Sequence, residues 1–308
     1  MPIVLSENFR ALFYAPFYAA VATGAFAARG VEVRLAASPE PAAAVRALRD
    51  GSVDVMWGGP LRVMMAHDTD PASDLVCFAD VVARDPFFVI GATPRPGFRL
   101  ADLAAVRFAS VAEVPTPWIC LADDLRRAGV DPQSLARVSG PTMAENVEAL
   151  RRGELDAVQL FQPEAEALLA SGTGHLWYAA ATRGPTAYTT LVTRRSTLER
   201  RRDDLLRMTR GLNDALRWFA ATPAGAIAGT LRAYFPEVDP AQFAAAIDRY
   251  RALDLWAHDP VIPRAGYDRL HAAMRAAGAL RGDVAYETCI DTGLAQQAVQ
   301  EAAATAAR

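Results

Sequence analysis

The hydrophobic and polar positions at the start of the chain alternate between a strand pattern and a helix pattern. Residues 3–5 are apolar and β-prone, residues 16–28 carry apolar side chains at helical spacing before a stop at Gly30, and residues 31–35 alternate as a second strand. This order of strand, helix and strand predicts a βαβ unit with two parallel strands.

The same alternation continues over the next thirty residues. Residues 41–49 predict a helix, residues 54–57 predict a short buried strand, and a further helix is expected to begin at Gly59-Pro60. Strands that alternate with helices of this length are typical of a parallel sheet covered by helices on both faces. The pattern therefore predicts an α/β fold.

A ten-residue segment of this pattern occurs twice. Residues 47–56 reappear in similar form as residues 149–158, and each copy ends a helix, turns on a glycine and enters a buried strand through an aspartate. Glycine is common at helix ends, so two unrelated corners can look alike by chance. The other interpretation, two similar α/β lobes, is favoured because residues 106–138 hold a strand, helix and strand series of their own.

The chain is expected to cross between the two lobes twice, at continuous β-prone runs near residues 87–90 and 188–192. Beyond Thr193 the pattern becomes purely helical, and the end of the chain resembles a frayed alanine-rich helix. These features predict three segments: residues 1–90 as the first part of lobe 1, 91–189 as lobe 2, and 190–308 as the return to lobe 1 plus C-terminal helices.

The composition excludes several kinds of chemistry. All 32 basic residues among the 308 are arginine, and the absence of lysine rules out a Schiff-base enzyme, a pyridoxal-phosphate aldimine and a Walker-type phosphate loop. A formal net charge of −3 gives no basic field for nucleic-acid binding. We therefore expect no nucleic-acid partner.

Metal, disulfide and membrane chemistry are also disfavoured. The three cysteines are far apart and the four histidines show no ligand spacing, so we expect neither a metal site nor a cofactor. No stretch approaches the ~18 apolar residues of a membrane span. A strand at residues 3–5 leaves no room for a signal peptide, so the location is expected to be periplasmic if a leader was removed and cytoplasmic otherwise.

Four helices are predicted to begin with a proline directly after a strand or loop, at Pro16, Pro60, Pro117 and Pro163. Ligands of open α/β sheets bind at the carboxyl ends of the strands, where helix N-termini point. If the lobes face each other, four positive helix ends converge on one cleft, which suits a carboxylate, a phosphate or another electron-rich group.

Aromatic and polar residues cluster at the same loops and form the candidate ligand site. Aromatic rings offer flat surface for a planar ligand, and Trp57 and Trp118 stand beside helix starts. Core packing is the alternative for the aromatic residues, and a solvated surface is the alternative for the polar ones. The candidates are Asn8, Phe13, Tyr14, Trp57, Gly58, Gly59, Arg62, Phe88, Glu113, Thr116, Trp118, Gln159, Gln162, Glu164 and Tyr188.

No catalytic constellation is found in the sequence. There is no GxSxG motif, no cysteine stands near a histidine in a local signature, and adjacent carboxylates such as Asp123-Asp124 would point ~100° apart on a helix. We therefore assign no catalytic residue.

Several segments resemble one family in order and spacing: Phe13-Tyr14-Ala15-Pro16-Phe17-Tyr18-Ala19-Ala20, Gly24-Ala25-Phe26, Gly51, Asp54, Asp102-Leu103, and the tail with Trp256 and Asp259-Pro260. The chain is similar to the NMT1/THI5-like, SsuA-related solute-binding proteins of ABC importers over nearly its whole length. The resemblance implies a type II periplasmic-binding-protein fold, with two α/β lobes that close on a ligand by hinge motion.

One branch of this family includes an enzyme that makes the thiamine pyrimidine from its own histidine, using a cysteine-rich motif and iron. Here residues 184–190 contain no cysteine, Arg62 takes the place of the sacrificial histidine, and no lysine is available for the pocket. We therefore reject that activity and retain a pyrimidine-like ligand as an option.

The leading hypothesis is a solute-binding protein that captures a small planar heteroaromatic or anionic molecule, such as a thiamine-pyrimidine precursor, a sulfonate or an aromatic acid. We expect a monomer that works with an ABC transporter permease. Stacking is assigned to Trp57, Trp118 and Tyr14. The alternatives are a cytoplasmic enzyme or a ligand sensor on the same two-lobe fold; the effector domain of a transcription regulator would need a helix-turn-helix that the chain lacks.

Overall fold

The computed structural model describes residues 1–7, 9–38 and 41–306. Strands and helices alternate through the first two thirds of the chain, and helices alone follow. The strands are β1 (Ile3–Ser6), β2 (Val33–Ala36), β3 (Val55–Gly58), β4 (Leu75–Val82), β5 (Phe88–Gly91), β6 (Phe108–Ala109), β7 (Arg137–Val138), β8 (Ala157–Leu160), β9 (His175–Ala179) and β10 (Thr189–Arg194).

The helices vary from single turns to more than five turns. They are α1 (Ala15–Ala22), α2 (Ala25–Ala28), α3 (Pro41–Asp50), α4 (Pro60–Thr69), α5 (Thr116–Arg127), α6 (Met143–Arg151), α7 (Glu164–Ala170), α8 (Arg195–Arg200), α9 (Arg202–Ala221), α10 (Ala224–Leu231), α11 (Pro240–Ala252), α12 (Arg264–Ala276), α13 (Tyr286–Cys289) and α14 (Gly293–Ala306). Short 3-10 turns cover Leu12–Tyr14, Leu100–Ala105, Pro132–Ser134, Ala180–Arg183 and Arg232–Tyr234.

The strands form two five-stranded sheets with corresponding layouts. The first has the order β2-β1-β3-β10-β4, and the second has the order β7-β6-β8-β5-β9. In each sheet three parallel strands are followed by one antiparallel strand, β10 or β5, that arrives from the other lobe. The expected two α/β lobes joined by two crossings are confirmed.

The repeated segment has the same role in both lobes. Each copy ends a helix, α3 or α6, turns on a glycine with a positive φ of 83° or 73°, and enters the central parallel strand. At that entry the Asp54 carboxylate accepts a hydrogen bond from the Val4 amide at 2.9 Å, and the Asp156 carboxylate accepts one from the Arg107 amide at 2.7 Å. Each aspartate therefore ties its strand to the neighbouring parallel strand.

The two crossings lie slightly apart from the predicted segment boundaries. Residues 83–87 connect β4 of the first sheet to β5 of the second, and residues 180–188 return the chain to β10. The expected boundary at residue 90 is wrong, because it cuts through β5, and Thr189 already belongs to the first sheet. A strand buried on both faces carries no periodic signal that tells which sheet it joins.

Two predicted helices differ from expectation: the first is interrupted, and the last is more closely packed. The helix expected over residues 16–28 is divided into α1 and α2 at Gly24, whose φ is +72°. The end of the chain is not frayed through its whole length: α14 packs on α9, with Leu294 and Ala298 buried and Arg210 in an ion pair with Glu301 at 2.5 Å. A small-residue helix packs closely when its partner helix offers a matching face.

The C-terminal helices contact both lobes. Tyr250 of α11 stacks on Phe88 of the second sheet with ring centroids 5.7 Å apart, and its hydroxyl donates to the Pro86 carbonyl of the first crossing at 3.0 Å. Helix α12 packs on α5 of the second lobe. No helix in the described ranges is long and apolar enough to cross a membrane.

Candidate functional site

A cavity lies between the two lobes, and we call it the interlobe cavity. Its volume of about 30 Å³ gives room for one or two water molecules. The first lobe, the second lobe and both crossings contribute to its wall. The lining residues are Phe9, Phe13, Tyr14, Gly59, Leu61, Arg62, Phe87, Val114, Pro115, Thr116, Tyr188 and Thr189.

Three of the four proline-marked helix starts meet at this cavity. Helix α1 begins directly after Tyr14, α4 begins after Gly59, and α5 begins at Thr116. The fourth, α7, begins at Glu164, which lies outside the cavity lining. Free N–H groups and the positive end of the helix dipole favour a negative charge at this point.

Among the described residues that line the interlobe cavity, Arg62 alone is charged. Its side chain leaves the first turn of α4 and is half-buried. Within residues 1–7, 9–38 and 41–306, its guanidinium has no hydrogen-bond or ion-pair partner. Burial lowers the pKa of Arg62 from its ordinary value, but a guanidinium remains a cation at neutral pH. The arrangement leaves one unneutralised positive charge facing the cavity.

Hydroxyl groups complete the polar part of the wall. The Tyr188 hydroxyl is buried and has no hydrogen-bond partner in the described structure. Burial raises the pKa of Tyr188 well above 10.0, so the phenol keeps its proton and can donate a hydrogen bond. Thr116 and Thr189 also line the cavity.

Aromatic rings form the apolar part of the wall. Phe13 and Tyr14 lie 4.3 Å apart between ring centroids, and Phe13 meets Phe9 edge to face at 5.9 Å. Phe87 lies at the end of the first crossing, and its ring centroid is 6.2 Å from that of Tyr188. Such a set of rings suits a flat or apolar group beside the charge.

The two tryptophans are not placed as expected. Trp57 is fully buried in the first lobe, where its ring stacks on Phe17 at 4.7 Å and 9°. Trp118 faces away from the interlobe cavity and lies under the Arg137 guanidinium at 4.1 Å. A position beside a helix start does not determine where a side chain points, because residues of β3 and of the first turns of α5 point in several directions.

Two other candidates from β-strands also lie outside the cavity lining. Phe88 points to the opposite side of β5 from Phe87 and packs on Tyr250. Gly58 ends β3, and a Cβ there would lie 2.8 Å from the methyl carbon of Met56.

Two polar candidates of the second lobe, Gln159 and Gln162, have hydrogen-bond partners within the described structure. The Gln159 amide donates to the Pro117 carbonyl at 3.0 Å, and Gln162 accepts from the Glu166 amide at 2.9 Å at the start of α7. Glu164 is half-buried, and burial raises the pKa of its carboxyl group. None of these three residues is in the cavity lining as described.

Glu113 has a supporting position beside the cavity. One of its carboxylate oxygens accepts from the Met143 amide at 2.7 Å, and the other accepts from the Ala112 amide at 3.2 Å. These bonds anchor the loop that carries Val114 and Thr116 to the start of α6. Asn8, the remaining candidate, lies outside the described residues.

The structure also brings in residues that sequence reasoning did not select. They are sequence neighbours of selected positions and come from the same loops. These residues are Phe9, Leu61, Phe87, Val114, Pro115 and Thr189.

A buried ion cluster lies where the two crossings meet. Arg183 of the second crossing contacts Asp85 of the first with 2.5 Å between Nη1 and Oδ2, and its Nε donates to Asp124 of α5 at 2.8 Å. The Tyr178 hydroxyl also donates to Asp124, at 2.9 Å. The cluster therefore ties both crossings to the helix whose first turn lines the interlobe cavity. In the described ranges, no group of three or more His, Cys, Asp or Glu residues is placed to hold a metal ion.

Comparison with known proteins gives consistent matches. The family model described as NMT1/THI5 like matches residues 13–226. A protein of Bacillus subtilis strain 168, YtlA, whose name describes it as a binding protein, is 21% identical over 301 residues, which cover 97% of this chain and 90% of that protein.

Solved structures share the fold over nearly the whole chain. The alkanesulfonate-binding protein SsuA from Xanthomonas axonopodis pv. citri, bound to MOPS, has a TM-score of 0.73 at 16% identity, covering 95% of this chain and 98% of that one. The periplasmic aliphatic sulphonate binding protein SsuA from Escherichia coli has a TM-score of 0.75 at 15% identity, covering 92% and 94%. The fold is that of the periplasmic binding proteins.

Proposed function

Because this chain belongs to the NMT1/THI5-like family, we propose that it is the solute-binding protein of an ABC importer and captures a small organic anion between its two lobes. The SsuA proteins that share its fold are named for binding alkanesulfonates or aliphatic sulphonates. The family match supports the solute-binding role, and the charge of the cavity supports the anion.

The observation that carries the choice of an anion is the unpartnered Arg62 guanidinium. A half-buried cation without a counter-ion is unfavourable, and an anionic ligand supplies the missing partner. The guanidinium offers a planar fork of donors that matches a sulfonate, a carboxylate or a phosphate. The first turns of α1, α4 and α5 add partial positive charge, and Thr116 and Tyr188 supply hydroxyl donors.

The rest of the wall fits a planar or apolar ligand body. Phe9, Phe13, Tyr14 and Phe87 replace the tryptophans in the stacking role assigned from the sequence. The interlobe cavity is too small for an organic molecule as it stands, so capture requires the lobes to separate about the two crossings and close again.

We propose that the partner is an ABC transporter permease, that the protein acts as a monomer and that it acts outside the cytoplasm. A relative with the same fold is described as periplasmic. Native mass spectrometry of the purified protein tests the monomer, and fractionation of cells that express the full gene tests the location.

Isothermal titration of the purified protein with methanesulfonate, acetate and nitrate tests anion capture. We expect Arg62→Gln to weaken binding about ten- to a hundredfold, as expected for loss of a charge-assisted hydrogen bond. Arg217→Gln is the matched control, because Arg217 is an exposed arginine of α9 remote from the cleft. Equal affinity of the Arg62→Gln variant and the parent would reject this site. Chemical conversion of the recovered ligand would instead indicate an enzyme.

A further inference from the structure

A second cavity adjoins the interlobe cavity on the side of the second lobe, and we call it the side chamber. Its volume is about 270 Å³, and its lining residues are Phe9, Val111, Glu113, Val114, Met143 and Phe161. Phe9 and Val114 line both cavities. The two spaces therefore share part of their wall.

The walls of the side chamber are almost entirely apolar. Phe9 and Phe161 lie with ring centroids 6.2 Å apart, and Val111 and Met143 are buried. Of the described residues in the lining, Glu113 alone is charged; it is exposed, and its two carboxylate oxygens accept backbone hydrogen bonds from Met143 and Ala112. Apart from this carboxylate, the side chamber offers a ligand only apolar contact.

The side chamber is large enough for a real substituent. An apolar cavity of about 150 Å³ in another protein holds a benzene molecule, so a space of this size accepts an aryl ring or a short alkyl chain. The interlobe cavity has no such space, but it contains the only cation of the two linings, Arg62. Charge and apolar volume are thus placed side by side in one site.

We propose that the side chamber holds the apolar substituent of the captured anion, so that the ligand class is an amphiphilic organic anion with an uncharged alkyl or aryl body. This proposal rests on the proposed anion capture at Arg62. The charged group lies at Arg62 and the first turn of α5, the body passes Phe9 and Val114, and the substituent ends against Met143 and Phe161. Inorganic anions leave the side chamber unfilled.

The test on the parent protein is a titration series of sulfonates. Affinity is expected to rise about fourfold for each methylene from methanesulfonate to propanesulfonate, roughly sixteenfold in all. A parallel series of acetate, propanoate and butanoate covers a carboxylate head group.

A variant that fills the side chamber gives a second measurement. Val111→Phe is expected to weaken propanesulfonate binding at least tenfold and to leave methanesulfonate binding within about twofold. Val138→Phe, the same substitution at an exposed position of β7, is the control and should change neither. Circular dichroism checks that both variants fold. The sulfonate series on the parent protein tests the proposal even if a variant does not fold.

The outcomes separate the two proposals. If the short and long anions of both series bind equally well, the side chamber proposal is wrong while anion capture stands. If no anion of either series binds, anion capture at Arg62 fails, and the side chamber proposal fails with it.

Discussion

Arg183 and Asp85 link the two crossings that connect the lobes. Nη1 of the arginine lies 2.5 Å from Oδ2 of the aspartate, and both side chains are almost completely buried. The same guanidinium contacts Asp124 of α5. A buried charge without its partner is costly, so this cluster constrains how the crossings can be substituted.

Replacement of Arg183 by methionine leaves two buried carboxylates without their cation. We expect a loss of about 3–5 kcal/mol in the free energy of unfolding, measured by urea titration. Arg107→Met removes the exposed ion pair with Asp156 and should cost no more than about 1 kcal/mol. If both variants lose a similar amount of unfolding free energy, the buried cluster contributes no more to stability than an exposed ion pair.

Trp57 is expected to matter for stability and not for ligand contact. Trp57→Ala removes a fully buried ring stacked on Phe17, which should cost about 3–5 kcal/mol. Trp57→Phe keeps most of the packing and should bind the ligand with unchanged affinity. Titration of the Phe variant checks this, and a tenfold loss of affinity there would return Trp57 to the ligand site.

The Tyr188 hydroxyl, unlike Trp57, is expected to matter for ligand binding and not for stability. Because it has no described hydrogen-bond partner, Tyr188→Phe should leave the melting temperature nearly unchanged and weaken anion binding about tenfold. Tyr250→Phe is the contrast, since that hydroxyl donates to Pro86 and accepts from the Gln162 amide. That variant should lose stability by about 1–3 kcal/mol. Unchanged affinity in Tyr188→Phe would remove this donor from the site.

Asp80 predicts a pH dependence of stability. Its side chain is fully buried in β4, and desolvation raises the pKa of Asp80 to about 8. The unfolded chain has an aspartate pKa of about 3.9, so between these values the folded state binds a proton that the unfolded state does not. Stability from this group therefore falls as the pH rises from about 4 to about 8.

Asp80→Asn removes that titration. Compared with the parent, the variant should gain at least about 1 kcal/mol in unfolding free energy between pH 5 and pH 8. Chemical denaturation at the two pH values measures the difference. The exposed residue Asp248 offers a control, Asp248→Asn, that should show no such gain. A constant difference between Asp80→Asn and the parent across this range would contradict the prediction.

The sequence predicted the large features of the fold because those features depend on local pattern. The repeated segment identified two lobes, and its aspartates, Asp54 and Asp156, indeed occupy matching positions. The proline starts located three of the helix ends at the interlobe cavity, and Arg62 was selected from one of them.

The individual side chains were harder to predict because their direction depends on tertiary packing. Phe87 and Phe88 are adjacent in an apolar run, and nothing in the sequence indicates which one faces the cavity. Trp118 follows a helix start but lies on the outer side of α5, under Arg137. Gln159 donates to the carbonyl of Pro117 and Glu113 accepts from the amide of Met143, and both of these partners are far along the chain, where no local pattern reveals them.

The small volume of the interlobe cavity has a thermodynamic consequence. A space of about 30 Å³ admits no organic ligand, so the described arrangement is not the one that a free ligand enters. The apparent dissociation constant is then the intrinsic constant divided by the population of the competent arrangement. Substitutions at Arg183, which contacts no ligand, are thus able to change the measured affinity for every anion by the same factor and leave the preference among anions untouched.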